Sequence, residues 1–466
     1  MEFTSLRFII FVPFIIIAYY IFPGKTKPLF LLLISYLFCC SFMPGVLIPL
    51  CVITIATYLL GRILNTSRYR KLILAAGIIG VVVLMQFARM GHALLPMIGM
   101  SFYALQAISY MVDVYRGTLM PEKNLVYYAL YIAFFPKFLS GPIERGGKFL
   151  PQITEQTKVP DYQTLRNASF LILWGYFEKL VVANHALIIV DKIFAEHWAH
   201  HGGILAAGAV LYAIQLYADF DGYSNIALGI AGLFGFHLTR NFQRPYFAKS
   251  IGEFWHRWHI SLSSWLRDYI YIPLGGNRKG KIVQYLNLLI TFGVSGIWHG
   301  AGMKYLVWGM MHGFYQVMGK ILKPCRDRIK AAFHIKEENR IVRILQSIMV
   351  FGMVDFAWIF FRADSFSEAL RYIYYMIMNF MPNPAVNTNI MGLGIDLSIF
   401  VTMMIGIVIL FVGDTLCESC ESVISALGKR NIVVRWGAYI CVLSLIGCAV
   451  LQSYGMDISG FLYAEF

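Results

Sequence analysis

Charged residues are scarce in this chain of 466 residues, and their scarcity limits what the protein can be. Asp, Glu, Lys and Arg make up only 14% of the sequence and hydrophobic residues 58%, whereas soluble proteins carry about 25% charged residues. This composition excludes a soluble enzyme with one membrane anchor. The apolar runs also lack the alternation of a membrane β-barrel, so helices must satisfy the backbone hydrogen bonds in lipid. We predict an all-α polytopic membrane protein.

The sequence also lacks a disulfide framework and a metal-binding motif. Most of the 8 cysteines lie in apolar runs, where cysteine behaves as a small hydrophobic residue. Cys417 and Cys420 have C-x-x-C spacing but no second pair, so we interpret them as structural. His197, His200 and His201 cluster without an acidic or cysteine partner, which favours a loop. We therefore predict no metal site.

No cleavage site follows the first apolar run, so we interpret it as a membrane span and not as a signal peptide. Further apolar runs follow with short breaks, without an internal repeat and without a soluble domain longer than about forty residues. They predict about eleven to thirteen hydrophobic helices in a single membrane-embedded domain over residues 1–466. The runs are 6–22, 28–42, 46–60, 72–87, 97–115, 125–139, 168–182, 204–218, 286–298, 303–319, 345–361, 397–412 and 433–451.

Basic residues outnumber acidic ones, 39 to 25, which gives a net charge of +14. In a membrane protein such residues gather in cytoplasmic loops and set the orientation, so we do not predict a nucleic-acid partner. Segments 62–71, 320–343 and 429–435 are the predicted cytoplasmic loops. Counting spans from them places both termini outside, together with segment 362–396. A subsidiary interpretation is that the charge attracts an anionic substrate.

The polar residues that the chain does have gather between Gly252 and His299. Ionisable groups at membrane depth are costly, so they indicate function. We expect one helix over Glu253–Tyr271, which is too polar to face lipid and lies at the interface or beside a water-filled cavity. The residues on its apolar face are Trp255, Trp258, His259, Leu262 and Trp265. Tryptophan and arginine are ordinary interface residues, but a histidine on that face is not.

A short apolar hairpin is predicted to follow. Thirteen residues, 286–298, precede His299, and a helix of that length covers about 20 Å of a membrane core about 30 Å thick. Entry from the cytoplasm would put His299 at the hairpin tip, where Gly300 and Gly302 allow a tight turn. A lone membrane histidine is more often a hydrogen-bonding residue between helices. The hairpin and the second histidine, His259, favour catalysis.

Six segments, in order along the chain, resemble signatures of the membrane-bound O-acyltransferase superfamily. They are most similar to its bacterial alginate O-acetyltransferase-like branch, which is related to the D-alanyl transfer protein of teichoic-acid modification. The segments are GMSFYALQAISYMVDVYRG (99–117), FFPKFLSGPIERGGKFLPQI (134–153), ADFDGYSNIALGIAGLFGF (218–236), NFQRPYFAKSIGEFWHRWHISLSSWLRDYIYIPLGGNRKG (241–280), GIWHGAGMKYLVWGMMHG (296–313) and AWIFFRADSFSEAL (357–370).

The resemblance implies a ring of helices with re-entrant segments around a central tunnel, with a catalytic core segment over 240–320. It implies that His299, in "WHG", is the catalytic histidine and that His259, in "RWH", is the second family position. Acyl transfer to a hydroxyl needs a base, and a neutral imidazole serves at neutral pH because its reference pKa is about 6.5. We predict His299 as that base and His259 as a group that hydrogen-bonds the reaction centre or orients His299.

Other residues are weaker candidates for the site. No serine nucleophile accompanies the histidines, and Ser295, one turn before His299, is expected to position or pack. Basic residues at the start of the hairpin are candidates for binding the phosphates of an acyl donor or are topology markers only. The tunnel or positioning candidates are Trp255, Trp258, Ser295, Trp298, Asn277 and His312, and the donor-binding candidates are Arg278, Lys279 and Lys281.

The implied function is O-acetylation of an extracytoplasmic polysaccharide by a multi-pass enzyme of the bacterial plasma membrane. The resemblance implies acetyl-CoA or a carrier-linked acyl donor as co-substrate, with no permanently bound cofactor. The expected partners are membrane lipid, a secreted esterase-like acetyltransferase, the polysaccharide and, for a carrier-linked donor, a cytoplasmic acyl carrier. One alternative is D-alanyl transfer to a cell-wall polymer. A membrane transporter would also place polar groups at the midplane, but usually in two related halves, which this sequence lacks.

Overall fold

The computed structural model describes residues 2–90, 97–139, 141–155, 159–334, 339–380, 393–416, 423–428 and 430–453. Regular structure in these ranges is helical, which confirms the predicted all-α class. The α-helices are α1 Leu6–Ile21, α2 Lys27–Cys40, α3 Leu47–Thr66, α4 Arg70–Arg89, α5 Met100–Arg116, α6 Leu125–Ala133, α7 Gly146–Glu155, α8 Tyr162–Tyr176, α9 Asn184–Ala195, α10 Gly202–Leu233, α11 Ile251–Arg257, α12 Ile260–Leu266, α13 Lys281–His299, α14 Met303–Ile321, α15 Lys323–Ala332, α16 Arg340–Arg362, α17 Phe366–Met378, α18 Leu397–Leu416, α19 Val423–Gly428 and α20 Ile432–Gln452.

Shorter helical segments connect some of these elements. Two of them are π-helical, Phe177–Ala183 between α8 and α9 and Arg267–Tyr271 after α12. Segments of this type inside longer helices are rare and are frequent at functional sites. The 3-10 segments are Pro44–Val46, Phe135–Lys137, His197–Ala199 and Pro245–Phe247.

Each apolar run of the sequence falls on a helix. Within the described residues, seven helices are long and apolar enough to cross a membrane, in agreement with a multi-pass protein. They cover Pro44–Thr66, Arg70–Arg89, Tyr162–Ala195, Gly202–Leu233, Arg340–Arg362, Leu397–Leu416 and Ile432–Gln452. Shorter apolar helices cover Leu6–Ile21, Lys27–Cys40 and Leu125–Lys137.

The chain divides into two compact units. The first consists of the described residues of Met1–Tyr176 and Phe220–Arg240, and the second of those of Phe177–Asp219 and Asn241–Ile458. Two of the three boundaries within the described residues fall inside continuous helical stretches, after α8 and within α10, and the third lies in the loop after α10. The single membrane-embedded domain therefore stays a prediction.

Two buried charged residues of the first unit, Lys137 and Glu144, have hydrogen-bond partners inside that unit. Lys137 is fully buried and its Nζ donates to the carbonyl oxygen of Tyr131, 2.5 Å away, and to the side chain of Gln106. The buried Glu144 accepts a hydrogen bond from the Thr239 backbone N–H through Oε1. These contacts explain how the polar segment 134–153 packs inside an apolar unit, since buried polar groups need partners.

The second unit contains a buried ion pair. Lys179 Nζ lies 2.5 Å from Asp219 Oδ1, and both side chains are almost completely buried. The Tyr217 hydroxyl lies 3.1 Å from both carboxylate oxygens of Asp414. Charges inside membrane proteins are usually paired and face the protein interior. Some polar side chains of region 140–282 therefore pair inside the protein.

Candidate active site

Helices α13 and α14 form the predicted hairpin, and glycines let them pack closely. A Cβ atom on Gly296 would lie 2.3 Å from the Tyr305 carbonyl oxygen, and one on Gly309 would lie 2.3 Å from the Phe292 carbonyl oxygen. Small residues at such crossings allow two helix backbones to approach in a membrane protein. Only three residues, 300–302, join the helices. The hairpin therefore holds its tip on two tightly packed helices.

The hairpin helix is longer than the apolar run indicates. Helix α13 has 19 residues, equivalent to about 28 Å, because Lys281 to Tyr285 are helical too. The expected length of 13 residues was wrong, and with it the argument that the arm is too short to cross. Neither α13 nor α14 is among the seven candidate spans. The hairpin and the placement of His299 at its tip are confirmed.

His299 is the last residue of α13 and is only 3% exposed. Aromatic rings surround its imidazole on several sides. The ring centroids lie 4.7 Å from Trp298, 5.0 Å from Trp308 and 5.2 Å from Phe361, all close to perpendicular. An imidazole in such an apolar enclosure is shielded from bulk water, which strengthens the polar interactions that it makes.

His259 is placed by a turn and not by a helix face. The predicted single helix over Glu253–Tyr271 is wrong, since α11 ends at Arg257 and α12 begins at Ile260. Between them His259 has φ 42°, in the left-handed region. This conformation costs a non-glycine residue roughly 1 kcal/mol or more, so surrounding contacts must hold it.

Those contacts come from the segment just before α11. The Ile260 backbone N–H donates to the Asn241 carbonyl oxygen over 2.9 Å, and the Ser261 hydroxyl donates to the Asn241 side-chain oxygen over 2.7 Å. The Gln243 N–H donates to the Arg257 carbonyl oxygen over 2.9 Å. The two sides of the turn are therefore both tied to residues 241–243, which fixes the direction of His259.

Trp298 connects the two histidines. Its ring centroid lies 6.1 Å from that of His259 and 4.7 Å from that of His299. His259 is only 1% exposed, and burial lowers the pKa of its imidazole. This ring is therefore neutral at physiological pH and presents one donor and one acceptor nitrogen. The structure brings the two predicted catalytic residues and Trp298 together.

The other tryptophan candidates and His312 form the interior behind this pair. Trp255 Nε1 donates to His312 Nδ1 over 3.3 Å, and Trp258 packs 5.1 Å from Trp358. His312 has no exposed surface. These three predicted positions are thus buried in the aromatic core of the site, in which Trp308 and Trp358 stack 5.5 Å apart.

Ser295 is fully buried on α13, one turn before His299. Its hydroxyl has no hydrogen-bond partner within the part of the chain that the structure describes. A serine nucleophile needs a base within hydrogen-bond reach, and Ser295 has none there. Ser295 is therefore packed inside the protein, and a positioning role for it stays a prediction.

The basic candidates lie at the other end of α13. Asn277, Arg278 and Lys279 belong to the exposed turn before the helix, and Lys281 is its exposed first residue. The length of α13 therefore separates all four from His299. The structure does not bring Asn277 to the histidines, and it leaves the basic residues as an exposed group at the base of the hairpin.

Sequence reasoning missed three aromatic residues of the site, Trp308, Trp358 and Phe361. Trp308 precedes His312 by one helical turn, so a helical projection of α14 would have grouped them. Trp358 and Phe361 come from α16, and no local pattern connects that helix with His299. Only the tertiary fold shows that α16 closes the enclosure around the imidazole.

The remaining candidate clusters lie elsewhere. His197 Nε2 is 3.6 Å from Glu368 Oε2, so the expectation that this cluster lacks an acidic partner was wrong. The partner comes from α17, which the local sequence did not indicate. Among the described residues, no three His, Cys, Asp or Glu side chains are placed for one metal ion. Cys417 and Cys420 lie outside the described residues.

Comparison with known proteins places this site in a recognised sequence region. The model of the membrane-bound O-acyltransferase family matches residues 119–361. That range contains both histidines, the complete hairpin and the part of α16 that encloses His299.

Three relatives show which members of this family the chain is similar to. A probable alginate O-acetylase of Pseudomonas fluorescens is 35% identical over 383 residues, covering 80% of this chain and 74% of the relative. A peptidoglycan O-acetyltransferase of Helicobacter pylori is 32% identical over 311 residues, covering 61% and 57%. A teichoic acid D-alanyltransferase of Bacillus subtilis is 25% identical over 285 residues, covering 59% and 71%.

Proposed function

Because the chain belongs to the membrane-bound O-acyltransferase family, we propose that it O-acetylates an extracytoplasmic polysaccharide from a donor on the cytoplasmic side of the bacterial plasma membrane. The observation that carries this proposal is the pairing of His299 and His259 around Trp298 at the tip of the hairpin. The names of the alginate and peptidoglycan relatives support acetyl as the group and a polysaccharide as its acceptor. Family membership favours this enzyme over a transporter.

His299 acts as the general base in the proposed reaction. Its neutral imidazole takes the proton of an acceptor hydroxyl while the hydroxyl oxygen attacks the acyl carbon. The bond from that carbon to the donor sulfur then breaks, and the thiol leaves with the proton. The aromatic enclosure keeps bulk water from taking the place of the acceptor hydroxyl. An intermediate acyl-histidine would use the same residue.

His259 is a positioning residue in this scheme. Its imidazole contacts Trp298, and Trp298 contacts His299. The constrained turn at 258–260 prevents His259 from moving away without breaking backbone hydrogen bonds to the Asn241 segment. A neutral imidazole held this way orients groups at the reaction centre by donating one hydrogen bond and accepting another.

The donor is proposed to be acetyl-CoA or an acetylated carrier. The exposed basic group at the base of the hairpin, Arg278, Lys279 and Lys281, attracts its phosphates by charge. In this scheme the acceptor hydroxyl belongs to a secreted esterase-like partner, which then passes the acetyl group to a hydroxyl of the polymer. Segment 362–396, which is predicted to lie outside, is a candidate for docking such a partner; its residues 381–392 lie outside the described part of the chain.

D-alanyl transfer is the second candidate because two relatives are named teichoic acid D-alanyltransferases, at 25% and 28% identity. The two functions differ in the ester that the cell-surface polymer carries. Mild alkali releases acetate from an acetylated polymer and D-alanine from a D-alanylated polymer, so both products can be measured in the same sample.

The test compares a strain carrying His299→Ala with one carrying His256→Ala, at equal protein levels in the membrane. His256 is exposed on α11, which makes it a matched control for loss of one histidine. We expect polymer-bound acetate to fall at least about a hundredfold only in the His299→Ala strain. Unchanged acetate would end the assignment, and loss of D-alanine with acetate unchanged would establish the second candidate.

A further inference from the structure

His312 lies in the same aromatic core as His299 but is not explained by the base chemistry. It occupies α14 four residues after Trp308, and its ring lies 5.2 Å from that indole. Trp308 in turn contacts His299 at 5.0 Å. The imidazole has no exposed surface. A polar ring buried this deeply needs hydrogen-bond partners.

One of those partners fixes the tautomer of the ring. The indole nitrogen of Trp255 carries a hydrogen and can only donate. Its contact with Nδ1 of His312, at 3.3 Å, therefore requires that Nδ1 accepts. A neutral imidazole whose Nδ1 accepts carries its proton on Nε2. His312 is thus held as a donor at Nε2, and that atom has no hydrogen-bond partner within the described residues.

Two further donors accompany it on neighbouring rings. The indole nitrogens of Trp308 and Trp358 are buried, at 1% exposure each, and have no acceptor in the described part of the chain. The two indoles stack 5.5 Å apart, and His312 lies 6.2 Å from Trp358. These three residues form a donor cluster (Trp308, His312 and Trp358) in which every free polar atom is an N–H group.

We propose that the donor cluster binds the acyl donor through the carbonyl oxygens of its thioester and adjoining amide groups. This inference rests on the proposed function and adds to it a binding site next to His299. A ligand that fits the cluster must supply acceptors, and carbonyl oxygens do so. Carbonyl groups of this kind are shared by coenzyme A thioesters and carrier-bound thioesters, so one site serves either source.

The experiment measures binding separately from transfer. The complete chain is purified in detergent, and S-acetylpantetheine, the thioester arm common to both sources, is titrated by calorimetry. His312→Met removes both ring nitrogens at similar volume, whereas His312→Gln keeps an acceptor for Trp255 and a donor for the ligand. We expect Kd to rise about tenfold for His312→Met and less than about threefold for His312→Gln.

Two other variants test the donor cluster without depending on the correct folding of the His312 variants. Trp308→Phe and Trp358→Phe keep an aromatic ring and remove only the N–H group, and each should raise Kd by several-fold. His256→Met, on the exposed side of α11, should leave Kd unchanged. Equal Kd values in wild type and all cluster variants, equal losses for His312→Met and His312→Gln, or no binding by wild type would each overturn the proposal.

His299→Ala separates this proposal from the proposed function. We expect this variant to bind S-acetylpantetheine with the wild-type Kd and to transfer no acetyl group. If His299→Ala transfers normally while the cluster variants lose binding, the base assignment fails and the binding site stands. If the cluster variants bind normally while His299→Ala is inactive, the binding site fails and the base assignment stands.

Discussion

The two histidines of the site are held in different ways. His299 ends a 19-residue helix that is packed against its partner through Gly296 and Gly309. His259 occupies a two-residue break between helices of 7 residues each, in a left-handed conformation, and tertiary hydrogen bonds tie both sides of this break to residues 241–243. One position depends on packing between helices and the other on a few polar contacts. This difference suits the proposed roles of His299 as a base that must stay fixed and of His259 as a neighbour that orients it.

Breaking the packing of the hairpin should have the largest effect. Gly309→Ala places a Cβ atom 2.3 Å from the Phe292 carbonyl oxygen, whereas the same change at Gly319 on α14 meets nothing within 4 Å. We expect Gly309→Ala to destabilise the protein by about 1–3 kcal/mol and to abolish most transfer, with Gly319→Ala close to wild type. Thermal unfolding in detergent measures the stability of the two variants, and an acetyl-transfer assay measures their activity. Similar unfolding of the two variants would show that the close crossing is not required.

Two substitutions of His259 distinguish the effect of its backbone conformation on stability from the effect of its imidazole on transfer. Both His259→Ala and His259→Gly remove the imidazole, so both should slow transfer about tenfold to a hundredfold. Glycine adopts positive φ without strain, so His259→Gly should be more stable than His259→Ala by about 1 kcal/mol. Transfer kinetics and thermal unfolding are compared on the same preparations. Wild-type rates in His259→Gly would remove His259 from the mechanism.

The Asn241–Ser261 bond tests what holds the turn. Asn241→Ala, Ser261→Ala and the double variant form a cycle whose coupling energy we expect to be about 1 kcal/mol in unfolding, typical of one buried hydrogen bond. Transfer should fall less than it does on loss of His259, since the backbone bond from Ile260 to Asn241 remains. A coupling energy near zero would show that contacts other than the Asn241–Ser261 bond hold the turn at His259.

The smallest effect is expected at the base of the hairpin. Arg278 and Lys279 are exposed and a helix length away from His299, so Lys279→Ala should raise KM for acetyl-CoA only about threefold at low salt. The effect should vanish at high ionic strength because exposed charges are screened. Steady-state kinetics at two salt concentrations provide the measurement. A large loss of kcat would contradict the separation of the two ends of α13.

The sequence predicts the helical hairpin that holds His299 better than it predicts the turn that holds His259. Apolar runs and the glycines after His299 indicate the hairpin, because helix periodicity and chain reversal are local properties. The break at His259 depends on Asn241, which pairs with α12 only in the folded chain. The contact of Phe361 with His299, and that of Trp358 with Phe361, likewise need α16, which is distant in sequence. The ion pair between Lys179 and Asp219 has the same tertiary origin.

Membrane vesicles from cells that contain the chain and its partners provide the most direct test. Inside-out vesicles expose the cytoplasmic face to labelled acetyl-CoA, and polymer-bound label is then counted. We predict incorporation by inside-out vesicles with the wild-type chain, none by right-side-out vesicles, and a fall of at least about a hundredfold with His299→Ala. Equal incorporation by wild-type and His299→Ala vesicles would contradict the account, whatever the orientation.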